Sequence, residues 1–77
     1  MSDPEPGTWY RHYLGSVYYV MALGEIEATL ERVVIYRSQA PACRVWVRPM
    51  REWSEIMPSH GPRFALHNAA LVVETRP

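Results

Sequence analysis

The stretch Arg44-Val45-Trp46-Val47-Arg48-Pro49 restricts the fold of this chain more than any other. Read with a period of two, Val45 and Val47 point to one side and Arg44, Trp46 and Arg48 to the other, the alternation of a pleated strand. Valine and tryptophan suit a half-buried pleated surface, and Pro49, which has no N–H to give a ladder, should end the strand. Two arginines and an indole then share one face, and that face is a suspect surface.

A strand needs partners, and 77 residues leave room for one small core and no second domain. A domain of this size buries only about 60% of the surface its unfolded chain exposes. Nine aromatic residues help to supply that core, Trp46 and Trp53 among them. Burying one tryptophan of roughly 200 Å² is worth about 5 kcal/mol gross, comparable with the net stability of a small domain, so losing either could unfold the chain.

Thr8 to Tyr13 is aromatic enough for a short edge strand, and Leu14-Gly15-Ser16 reads as a tight turn that uses glycine's access to positive φ. Val17 to Leu23 is apolar throughout, which predicts a strand covered on both faces. Gly24 to Thr29 makes a polar connection to Leu30–Arg37, the second strong strand, expected to pair with the first as a hairpin. After Pro49, the spacing of Met50, Trp53, Ile56 and Met57 predicts one or two turns of amphipathic helix, with Trp53 as a lid and Pro58 at its end. Arg63 to Leu66 is expected to close a barrel. Residues 1–7, rich in proline and acid, read as a disordered leader, residues 8–66 as the folded domain, and 67–77, with Leu71-Val72-Val73, as a tail or an extra edge strand. The expected fold class is therefore mainly β, a small SH3-like β-barrel of about five strands with one short helix.

Eight basic and eight acidic residues cancel, so no overall positive field drives nonspecific binding of DNA. All eight basic residues are arginine, which most simply reflects a GC-rich genome. The one cysteine, Cys43, cannot form an internal disulfide, and no apolar run resembles a signal peptide or a membrane span. A cytoplasmic protein with no membrane association is the expectation.

At this point the residues resemble a known family. Tyr10-Arg11-His12-Tyr13, Gly15, Tyr18, Val20, Val34, Tyr36-Arg37, Trp46-Val47-Arg48-Pro49, Met50 and Pro62-Arg63-Phe64 resemble the bacterial and phage family designated domain of unknown function 1653, over roughly residues 8 to 64. The resemblance implies a compact SH3-like barrel and carries no activity with it. Members typically have His-Ser-Glu-Thr before the second strong strand, whereas Ile26, Glu27, Ala28 and Thr29 stand here, so only the threonine is kept.

Arg11, Arg37, Arg48 and Arg63 each adjoin an aromatic residue or a proline, and a barrel could bring several of them to one mouth. Guanidinium forks bind phosphate bidentately, and tyrosine or tryptophan faces stack on bases. The expected site is thus Arg11, Arg37, Arg48 and Arg63 as anion clamps with Tyr13, Tyr36 and Trp46 as stacking walls. The structural alternative is that these arginines pair with Glu31, Glu52, Glu55 or backbone carbonyls and rim the barrel. His12, His60, His67 and Cys43 lack metal-ligand spacing, and nothing orders a base beside Cys43, so neither metal nor cofactor nor thiol catalysis is expected. Glu25, Glu27 and Glu31 read as a solvated hairpin end rather than acid/base catalysts, and a chain this short rarely encloses a catalytic pocket. The reading is a non-enzymatic binding module for a small phosphorylated or nucleotide-like ligand, which in a phage could sequester a nucleotide signal. The alternative is a protein-interaction adaptor or self-assembling homo-oligomer that uses the aromatic face and the tail.

Overall fold

A computed structural model describes residues 3–67. It is mainly β with one short helix: β1 (Trp9–His12), β2 (Val17–Glu25), β3 (Arg32–Arg37), β4 (Val45–Pro49), α1 (Met50–Trp53), β5 (Ile56–Met57), β6 (Gly61–Pro62) and β7 (Phe64–Leu66). Five strands form one antiparallel sheet in the order β4-β3-β2-β1-β7, and β5 and β6 make a separate two-stranded ribbon. The expected hairpin of the two strong strands is present as β2 and β3. Within the described residues the ladder is linear: β7 adds to β1, and no ladder joins it to β4. β1 is consequently interior rather than the edge strand its position in the chain suggested, because β7 returns from far along the sequence to pair with it.

Partners directly opposite in an antiparallel ladder share a face, so the register sorts the side chains. Tyr10 pairs with Tyr18, Val20 with Tyr36, Tyr36 with Trp46, Val34 with Arg48, and His12 with Phe64. These residues form the concave face. Its centre is a cluster of Val20, Val34, Tyr36, Trp53 and Phe64, with Tyr10, Tyr18, Leu23 and Met50 packed around it. Trp53 covers this face as the expected lid. The opposite face carries Trp9, Arg11, Val17, Tyr19 and Arg37.

β2 reaches nine residues because the register slips between Val20 and Ala22, and a bulge of this kind bends a strand around the core without ending it. The bulge leaves Met21 exposed, so β2 is not covered on both faces along its length. The helix is a single turn. It starts directly from the extended Pro49 and stops at Ser54, and Ile56 and Met57 go into the ribbon instead of a second turn. Trp46 is 44% exposed and Val47 61%, whereas Trp53 is 4% exposed, so the anchoring capacity expected of both tryptophans belongs to Trp53. The reason is position: β4 is an edge strand, whereas Trp53 packs on Tyr36 and Phe64 at the centre of the core.

Before β1, Pro4 is buried, the Glu5 N–H donates to the Tyr10 hydroxyl (3.0 Å), the Gly7 N–H donates to the Val20 carbonyl (2.8 Å), and Asp3 pairs with Arg32. The 68–77 part of the expected tail lies outside the described residues. No helix among those described is long and apolar enough to cross a membrane.

Candidate functional site

The seven residues expected to form one mouth fall into separate places. Tyr36, Trp46 and Arg48 lie on the concave face. Arg48 donates from Nε to the Tyr36 hydroxyl (3.2 Å), meets the Glu52 carboxylate (3.3 Å), and holds its guanidinium 5.7 Å from the Phe64 ring centre. Trp46 stands outside this group at the sheet edge, with Arg44 over its ring at 5.4 Å. Arg37 is on the other face, stacked over Tyr19 (4.8 Å) and Trp9 (5.4 Å), its Nη1 donating to the Ser38 carbonyl (3.1 Å). Arg63 lies between β6 and β7, bound to the Glu52 carbonyl (3.1 Å) and the Glu55 carboxylate (2.8 Å). The structural alternative offered by the sequence, pairing with Glu52 and Glu55, is therefore realised for Arg48 and Arg63. A four-arginine clamp does not assemble.

Arg11 and Tyr13 share a second place, beside the β1–β7 pair. Arg11 and Tyr13 line an open cleft of about 260 Å³ together with His12, His60 and His67. Pro62, Ala65 and Leu66 complete its wall. Arg11 is exposed, faces Ala65 across the ladder, and its side chain has no hydrogen-bond or ion-pair partner among the described residues. No carboxylate belongs to the described lining, so the cleft presents one uncompensated guanidinium among imidazoles and a phenol.

Neighbours on several sides fix Tyr13. Its N–H donates to the Arg63 carbonyl (2.8 Å), and its ring centre is 4.6 Å from that of His12, 5.1 Å from that of His60, and 6.0 Å from the Arg63 guanidinium. His12 accepts the Leu14 N–H at Nδ1 (3.2 Å) and sets its ring against Phe64. Burial, then the positive charges of Arg48 and Arg63, hold its imidazole below the ordinary value, which favours the neutral ring. With Nδ1 accepting, that neutral ring carries its proton on Nε2 and remains a donor. Hydrogen bonding to Glu55 raises the Arg63 guanidinium, so it stays charged throughout.

Sequence spacing gives the three histidines no shared role. Residues 12, 60 and 67 have no local pattern, and only the β1–β7 pairing together with the turn at His60 brings them to one cleft. They do not converge as metal ligands: among the described residues, no group of three or more His, Cys, Asp or Glu is placed to hold an ion.

The fold and cleft define a class, a small mainly β domain whose five-stranded sheet packs an aromatic core on one face and leaves a cationic, aromatic recess beside β1 and β7. Within that class the chain belongs to the family described as "Protein of unknown function (DUF1653)", which matches residues 8–66. It is similar to the crystal structure of a DUF1653 protein from Bordetella bronchiseptica, at 31% sequence identity and a TM-score of 0.67, over 97% of this chain and 95% of that one. No functionally curated protein matches it.

Proposed function

We infer that this domain is a non-enzymatic binding module of SH3-like type, acting in the cytoplasm, and that it takes a small phosphorylated or nucleotide-like ligand in the Arg11 cleft. The observation that carries this reading is Arg11 itself. It is a guanidinium with no partner among the described residues, beside Tyr13 and three imidazoles, in a recess whose described lining holds no carboxylate. A cationic fork of this kind recognises phosphate oxygens through paired N–H donors. Arg48 and Arg63 are not in the lining, and their carboxylate and carbonyl partners already engage them.

The test is a thermal-shift panel of inorganic phosphate, sugar phosphates and mono-, di- and cyclic nucleotides, run on the wild type and on Arg11→Ala. A ligand at about 100 times its dissociation constant adds about 2.7 kcal/mol, on the order of 10 °C for a domain of this size. A shift lost in Arg11→Ala supports the reading. No shift across the panel, or one retained in the variant, overturns it.

One observation favours a second reading, a protein-interaction or self-assembly role. Val45, Trp46 and Val47 are all exposed on β4, whose outer edge is unpaired among the described residues, and such an edge accepts another strand. On this reading Val47→Lys lowers the mass measured by light scattering, and an unchanged mass with no partner lost removes it.

A further inference from the structure

The cleft has two chemically distinct parts, and together they select among phosphorylated ligands. One part is aromatic: the Tyr13 ring with His60 beside it at 5.1 Å, the two planes inclined by 47°. The other is cationic: Arg11, whose cross-strand partner Ala65 has only a methyl group and so leaves space beside the guanidinium. We propose that the ligand is a mononucleotide carrying a single phosphate, its planar base on the wall formed by Tyr13 and His60 and its phosphate on Arg11. This rests on the reading of the cleft as a phosphate-binding site.

Three observations narrow the class. The recess is about 260 Å³, below the roughly 300–1,000 Å³ of sites that enclose drug-sized ligands, so it suits one nucleotide and not two. Next, the cationic supply is short. Arg11 can offer both of its terminal nitrogens to a phosphate, but Arg63, next in line beneath Tyr13, already gives Nε to the Glu52 carbonyl and Nη2 to the Glu55 carboxylate, which offsets its charge. The burial that keeps His12 neutral removes another charge. A triphosphate would gain little over a monophosphate here. Finally, Tyr13 is held before any ligand arrives by its backbone bond to Arg63 and by rings on two sides, so stacking a base on it orders little that is not already ordered. A simple sugar phosphate would leave that aromatic wall unused.

The test is calorimetric titration of the full chain with inorganic phosphate, ribose 5-phosphate, AMP, UMP and ATP. AMP or UMP binds at least about tenfold more tightly than ribose 5-phosphate, within the range that base–aromatic stacking supplies, and ATP binds no more than about threefold more tightly than AMP. His60 is exposed in a turn, so His60→Ala keeps the fold, and it narrows the gap between AMP and ribose 5-phosphate. Arg11→Ala weakens both. If ribose 5-phosphate binds as well as AMP, the base wall is wrong while the phosphate reading stands, and if ATP binds tenfold or more tightly, the single-phosphate limit is wrong. If nothing binds, both readings fall.

Discussion

Trp53 and Phe64 lie face to face, ring centres 3.7 Å apart and planes 2° from parallel. Two rings alone prefer an offset or an edge-on arrangement. Here the surrounding edges supply it: Tyr10 and Tyr36 meet Trp53 at 78° and 69°, and Tyr18, Tyr36 and His12 meet Phe64 at 70° to 74°. The stack ties the one-turn helix to the last strand of the sheet.

Replacing Trp53 therefore removes the centre of the core. Trp53→Ala is expected to cost about 3–5 kcal/mol, most of the stability of a small domain, and to leave the chain largely unfolded by circular dichroism at 25 °C. Trp46→Ala should cost only about 0.5–1 kcal/mol, the scale of an exposed cation–π contact such as that with Arg44. Equal losses in urea melts would show that the core has been misassigned.

Arg48 and Tyr36 are coupled across β3 and β4 through the Nε–hydroxyl hydrogen bond. In a double-mutant cycle of Arg48→Met with Tyr36→Phe, the two changes should show an interaction energy of about 0.5–1.5 kcal/mol. Strict additivity in denaturant midpoints would mean that the bond contributes nothing in solution.

The turn between β1 and β2 depends on Gly15, whose φ of +112° is one that side chains avoid, while a Cβ there would meet nothing within 4 Å. Backbone strain without a steric clash isolates one cause. Gly15→Ala should destabilise by about 1–2 kcal/mol and leave the amide spectrum of the core unchanged outside the turn. A neutral result would place this turn in another conformation.

His12 makes stability depend on pH. Its folded value is lowered from the ordinary 6.5, first by burial and then by Arg48 and Arg63. As pH falls below about 6.5 the unfolded chain takes up the proton first, so this contribution is full above the unfolded value and is lost on going down to the folded one. Urea midpoints of the wild type should fall between pH 7.5 and 5.5 more steeply than those of His12→Gln. Parallel pH profiles would remove His12 as the cause.

Much of the fold could be read in the sequence because strands declare themselves locally. The period-two alternation of 44–49, the apolar run from Val17 and the Leu14-Gly15-Ser16 turn each depend on neighbours in the chain, and β2, β3, β4 and the turn fall where they predict. The one-turn helix also falls at Met50, although its length depended on Ile56 and Met57 finding the β6 ribbon. What the chain could not show locally is pairing between distant segments. Whether β1 is an edge or an interior strand rests on β7, more than fifty residues away, while the division of the arginines between two faces rests on the registers of β1 to β4. Arg11 and Arg37 lie opposite Tyr36 and Arg48 because a register shift of one residue moves every side chain to the other face. The sequence determined which residues have the chemistry to hold an anion and which segments extend. Arg48 and Glu52 are a local i,i+4 pair, but only the tertiary structure decided that Arg63 would pair with Glu55 and that Arg11, Tyr13 and three unspaced histidines would share one cleft, because those groupings arise from contacts that no local pattern encodes.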